Sequence, residues 1–181
     1  MPLVILDRDG VINHNREDYI KTPQEWEPIP GSLAAIARLN AAGFTVAVVT
    51  NQAGIGRQLF DVATLDAIHA KMHQAVAAHG GRIDEVFYCP HPPEIGCACR
   101  KPRPGMLHRA VERFTATAAQ VPVVGDSLGD LQAAAAIGAQ TILVLTGNGK
   151  KTQAQEGIPV NTAVVENLAA AVELIIERSR Y

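Results

Sequence analysis

Aromatic side chains are scarce in this chain, at 4% of 181 residues, while Ala and Val abound within a 48% apolar content; that balance fits an α/β protein. An excess of either charge is also lacking. The 16 Lys and Arg residues are interspersed with 18 Asp and Glu, and a net charge of −2 gives no basis for a nucleic-acid or membrane-surface partner. No apolar run is long enough to span a bilayer. The first residues enter a strand without a basic segment, an apolar signal core or a cleavage site, so the expected location is the cytoplasm. Thiols stay reduced there, and the three cysteines all fall between positions 89 and 99, so disulfides are not expected. Repeats, low-complexity tracts and linkers are absent. The expectation is one domain over residues 1–181, working as a monomer.

What is present is a series of apolar runs that end in polar residues. Leu3 to Leu6 reads as a strand buried on both faces, and Asp7-Arg8-Asp9-Gly10 follows at once. Phe44 to Val49 leads to Thr50-Asn51-Gln52, Ile83 to Tyr88 leads to Cys89, Val121 to Val124 leads to Gly125-Asp126, and Thr141 to Leu145 leads to Thr146. Helical periods separate these runs at Leu33–Leu39, Asp61–His79, Met106–Phe114, Leu131–Ile137 and Asn167–Arg178. The alternation predicts a Rossmann-like open parallel sheet of about five strands with helices on both faces. Ligands of such sheets bind beyond the carboxyl ends of the strands, where these polar residues collect.

Asp7, Asp9 and Asp126, with Asp130 a helical turn further on, make a hard, oxygen-rich set that suits magnesium. Two close carboxylates repel, so the pair Asp7 and Asp9 favours a cation or a proton nearby. Magnesium beside Lys101 and the Thr50 hydroxyl suits a phosphoryl group, and a carboxylate can attack phosphorus while a second acid protonates the leaving oxygen. Cys89-Pro90-His91 and Cys97-Ala98-Cys99 supply three thiols and an imidazole, a complete zinc set. Ile95 is the one large apolar side chain between Cys89 and Cys99, so this loop has no core of its own. His69 and His73 stand at i and i+4 without a third ligand, which predicts a solvated helix face. Thr146-Gly147-Asn148-Gly149-Lys150 lacks the Walker spacing and reads as a plain loop. Asn13 to Pro30, too long and polar for a turn, is either a functional flap or a poorly ordered segment.

Asp7-Arg8-Asp9-Gly10, Val48-Val49-Thr50-Asn51, Lys101 and Gly125-Asp126-x-x-x-Asp130 together resemble the four ordered motifs of the haloacid dehalogenase-like phosphatase superfamily. The resemblance implies Asp7 as nucleophile, Asp9 as general acid and base, and Thr50 and Lys101 as phosphoryl stabilisers. It places magnesium on Asp7, Asp126 and the Asp9 main-chain carbonyl, with Ser127 and Asp130 in support. The Cys-x-His, Cys-x-Cys loop before Arg100-Lys101 resembles the branch that holds the heptose bisphosphate and histidinol-phosphate phosphatases, and the stretches around Asp7, Thr50 and Lys101 look closest to the former. Ala53 and Ser127 depart from residues common there, Ser and Lys. Only a minimal cap fits between Thr50 and Lys101, so specificity is expected from single polar contacts. Arg100 leads the candidates for holding a small sugar phosphate, followed by Arg57, Asn51, Gln52, Asn15, Arg16, Glu17 and Asp18. The alternatives are another small phosphomonoester as substrate, or a silent scaffold stapled by zinc.

Overall fold

The computed structural model describes residues 1–181. Six parallel strands form its single sheet: β1 (Leu3–Leu6), β2 (Thr45–Asn51), β3 (Glu85–Cys89), β4 (Pro122–Gly125), β5 (Gln140–Val144) and β6 (Ala163–Val165). Their spatial order is β3-β2-β1-β4-β5-β6. The helices are α1 (Ser32–Ala41), α2 (Ala53–Gly56), α3 (Val62–Ala78), α4 (Gly105–Arg113), α5 (Leu128–Ala136), α6 (Gly149–Gln153) and α7 (Leu168–Arg178).

Alternation along the strands explains why both faces are covered. Val4 and Leu6 of β1 join the core built with α1, α3 and α7, while Leu3 and Ile5 join the one built with α4 and α5. All four side chains are buried. Parallel pairing aligns Leu3 with Thr45 on one side and Ile5 with Val123 on the other. The strand order therefore reverses between β1 and β4, and the crevice at that switch opens beside Asp7 and Asp126. Helix starts are set locally. The Asp61 side chain accepts from the Thr64 amide, and Asn167 accepts from that of Ala170.

Several sequence expectations need correction. The sheet has six strands, because β6 is three residues long and set among polar neighbours, too short to show a period. Strand β3 starts at Glu85 and includes Cys89. Helix α5 starts at Leu128, one turn before Leu131, under a reciprocal Ser127–Asp130 capping box. The Gly-rich stretch opens helix α6 as well as forming a loop.

Residues 13–30 pack against the body. Ile20, Trp26 and Ile29 are buried, Trp26 almost completely. From α3, Lys71 Nζ donates to the carbonyls of Pro23 at 2.7 Å and Trp26 at 2.8 Å, so the segment is pinned as well as packed. The polar composition had concealed these few apolar anchors. Trp26→Ala is expected to destabilise the protein by about 3–5 kcal/mol in a urea melt; a loss below about 1 kcal/mol would mean that the indole does not anchor the segment.

Candidate active site and metal centres

Asp7, Asp9, Asn15, Thr50, Asn51, Lys101, Asp126, Ser127, Asp130 and Asn148 line one open cleft of about 160 Å³, with no apolar residue among them. Lys101 is its hub. Its buried ammonium lies 3.1 Å from Asp7 Oδ1 and 2.6 Å from Asp130 Oδ1, and donates to the Val49 carbonyl at 2.7 Å. Burial acts to lower the Lys101 pKa, but Asp130 and Asp7 outweigh it and the group stays firmly charged. The Lys101 backbone is held by Asn51, whose Oδ1 accepts the amide at 3.1 Å and whose Nδ2 donates to the carbonyl at 3.2 Å.

Asp130 is fully engaged. Oδ1 meets Lys101, and Oδ2 accepts the amides of Asp126 and Ser127, both at 3.1 Å. Burial acts to raise its pKa, yet Lys101 and the Ser127 hydrogen bonds hold it below the usual carboxylate range. Asp7 goes the other way: burial and then the Asp130 charge raise it well above that range, against the pull of Lys101. Burial, reinforced by Asp130, pushes Asp126 up to about 7. The crowded carboxylates are short of positive charge, and that deficit is what a cation relieves.

The space fits one. Asp126 Oδ2 accepts the Asn148 amide at 2.8 Å, and Gly10 and Gly147 press against the same carboxylate. A Cβ at Gly10 would sit 2.0 Å from Asp126 Oδ2, and one at Gly147 2.3 Å from it; both glycines also have positive φ. Carboxylate oxygens of Asp7, Asp126 and Asp130 lie within 4.8 Å of one another. With Asp130 engaged by Lys101 and two amides, Asp7 and Asp126 remain as the free oxygen donors for magnesium.

Asp9 Oδ1 accepts from Arg8 Nε and Asn13 Nδ2, both at 2.9 Å, and Oδ2 from Gln52 Nε2 at 3.1 Å. The buried Gln52 amide also donates to Thr50 Oγ1 at 2.9 Å. Gln52 and Asn51, both expected as substrate contacts, therefore brace other site residues. Arg16 and Asp18 pair with each other on the exposed loop, with Lys21 and Glu25 alongside, and Glu17 is exposed beside them; none of the three lines the cleft. Asn15 does line it. Arg57 is tied to Glu94 of the cysteine loop at 3.0 Å. Arg100 lines an adjoining hollow of about 150 Å³ with Lys101 and Arg103.

Cys89 at the end of β3 meets His91, Cys97 and Cys99, with donor atoms within 4.8 Å of one another. The Sγ pairs stand 2.8 to 3.6 Å apart, and His91 Nδ1 lies 3.3 Å from Cys99 Sγ and 3.5 Å from Cys89 Sγ. Three sulfurs and one imidazole nitrogen so close fit a tetrahedral zinc site. Burial and hydrogen bonding to Cys99 push the Cys89 thiol up to about 12, so a thiolate there needs a cation. The Arg100 amide donates to Cys97 Sγ at 3.4 Å, and Arg103 Nη1 to the Cys97 carbonyl at 2.7 Å. Ile95 points outward, 62% exposed, so the loop has no apolar core of its own and meets the body through its cysteines.

Sequence reasoning missed two buried groups. His69 is not on a solvated face: it is 8% exposed and meets the fully buried Arg8, while His73 is exposed as expected. The signal was available, since His69 lies four residues after Leu65 and three before Met72 on the apolar stripe of α3.

A HAD-hydrolase-like family model matches residues 98–171. A D-glycero-β-D-manno-heptose-1,7-bisphosphate 7-phosphatase of Bordetella bronchiseptica is 55% identical over 99% of this chain and all of its own length; one of Pseudomonas putida is 52% identical over 97% of this chain and all of its own. The crystal structure of D,D-heptose 1,7-bisphosphate phosphatase from B. bronchiseptica, complexed with magnesium and phosphate, superposes with a TM-score of 0.96 at 55% identity, covering 98% of this chain and 99% of that one.

A carboxyl whose pKa is raised on folding binds its proton more tightly folded than unfolded. Stability without magnesium therefore falls as pH rises from 3.8 through about 7 at Asp126. Magnesium competes with that proton, so the rise in Tm on adding it is expected to be larger at pH 8 than at pH 6; an equal rise at both would contradict the assignment of Asp126 as ligand. Cys99→Ser is expected to speed hydrogen exchange in residues 89–105 while the sheet stays protected, and to cut turnover by up to about a hundredfold, the scale of a 1 Å displacement at Lys101. Full turnover with a loosened loop would show that the cysteine cluster does not position Lys101.

Proposed function

The chain belongs to the D-glycero-β-D-manno-heptose-1,7-bisphosphate 7-phosphatases of the HAD-hydrolase-like family, and we propose that it removes the 7-phosphate of that bisphosphate through an aspartyl-phosphate on Asp7. The observation that carries the reading is Asp7, its Oδ1 3.1 Å from the buried Lys101 ammonium, in a cleft shared with a second carboxylate two residues on. Asp7 attacks phosphorus; the bond to the sugar oxygen breaks, and Asp9 supplies the proton that this oxygen takes. Asp9 then takes a proton from water as the water oxygen attacks phosphorus, and the bond to Asp7 breaks to release phosphate. Lys101 and Thr50 stabilise the charge on the transferring group throughout. Magnesium held by Asp7, Asp126 and the Asp9 main-chain carbonyl would neutralise enough charge for an anionic carboxylate to meet an anionic phosphate.

Cys89, His91, Cys97 and Cys99 would hold zinc through four protein ligands, which would give it a structural role. The Arg100 and Arg103 hollow lies beside Lys101 and suits the distal phosphate, for which an arginine fork is well shaped. The carboxylates, lysine and hydroxyl that the reaction needs are all present in this chain, which supports its working as a monomer, and three cysteines gathered at one metal-ligand cluster suit a reducing cytoplasm. A bisphosphate of this sugar serves precursor synthesis for lipopolysaccharide or a related glycan.

Phosphate release with magnesium should favour heptose bisphosphate over fructose bisphosphate and histidinol phosphate by on the order of tenfold or more in kcat/KM. Faster hydrolysis of histidinol phosphate would overturn the substrate. Asp7→Asn should lower kcat by on the order of a thousandfold or more with the fold intact; near-normal turnover would remove Asp7 as nucleophile.

A further inference from the structure

Side chains alternate along the turn that follows β1, so Asp7 and Asp9 reach the cleft while Arg8 is sent inward. Its guanidinium is completely buried, an arrangement that is destabilising unless its donors are met. Nε donates to Asp9 Oδ1 at 2.9 Å, and Nη2 makes an ion-pair contact with the same oxygen at 2.8 Å, off the hydrogen-bonding angle. Nη1 lies 3.1 Å from His69 Nε2 on α3. A guanidinium can only donate, so His69 presents a lone pair at Nε2 and carries its proton on Nδ1. Burial and the adjacent Arg8 charge, which lower the His69 pKa to about 3, agree with a neutral ring.

We propose that Arg8 and His69 form a buried clamp that fixes the Asp9 carboxylate for proton transfer, with His69 a positioning residue acting through Arg8. The proposal rests on Asp9 as general acid and base. Asp9 sits on a turn with its side chain 29% exposed, and its carboxylate is held by polar partners. The clamp and Asn13 Nδ2 secure Oδ1 from below, leaving Oδ2 with Gln52 as its one partner. Since His69 belongs to α3, the clamp also ties the position of this carboxylate to the helix on which Lys71 pins residues 13–30.

A weakened clamp should hurt most where proton donation matters most, with an alkyl rather than an aryl leaving group. His69→Leu removes the acceptor at similar volume. It is expected to lower kcat for heptose bisphosphate by on the order of tenfold with KM within about twofold, while the first-turnover burst of 4-nitrophenolate from 4-nitrophenyl phosphate stays within about twofold. His69→Gln, which keeps an acceptor, should recover most of that loss. Arg8→Lys, which keeps the charge without the fork, should reproduce the split between the two substrates. A loss equal for both substrates and matching the folded fraction, or no loss at all, would overturn the clamp. Asp9→Asn in the same assay separates the two ideas. If it shows no dependence on the leaving group, Asp9 is not the acid; if it does and both clamp variants do not, the clamp alone fails.

Discussion

One buried ammonium organises this molecule. Lys101 lies between Asp7 and Asp130 with its side chain 5% exposed, and its third contact is the last apolar residue before Thr50 on β2. A lysine so placed is stable only because two carboxylates and a carbonyl replace its water. The lysine in turn offsets the repulsion between those carboxylates. The balance is incomplete, since Asp7 and Asp126 are left with raised proton affinity. That residue of unmet negative charge is what makes the cleft receptive to a divalent cation, and through it to a phosphate.

The same residue links the cleft to the cysteine loop. Lys101 comes two positions after Cys99, and the Arg100 amide between them is bound to Cys97 Sγ. Asn51 clamps the Lys101 peptide from β2, so the lysine is held from the sheet on one side and the cysteine cluster on the other. A loop without an apolar core could not keep such a position unaided. The fold therefore needs no large cap to build its site. Strand ends at the β1–β4 switch supply the carboxylates, two glycines admit Asp126, and a short loop supplies the cations.

Much of this was legible in the chain because parallel strands buried on both faces are plain apolar runs, and the polar residues after them must then gather at one edge. Asp7, Thr50 and Asp126 stood out for that reason, whereas Lys101 follows the cysteine loop, twelve residues beyond the end of β3. The three-residue β6 gave no period to read. Arg8 and His69 were hidden differently: His69 lies on a helix that was placed well and Arg8 on the turn after β1, but direction and partner depend on how that turn meets α3. Asn51 and Gln52 were recognised as polar strand-end residues, yet whether an amide faces a ligand or braces a neighbour is decided by distances no spacing encodes. The polar surface of residues 13–30 likewise masked the burial of Trp26.

The dependence on Lys101 is tested most directly by calorimetry of inorganic phosphate binding, with magnesium present, to the wild-type protein and to folded Lys101→Met. Asp7 and Asp126 remain in the variant, so magnesium should still bind, while phosphate affinity should fall by on the order of tenfold or more with the loss of the charged donor. Equal phosphate affinity in the two proteins would contradict the account.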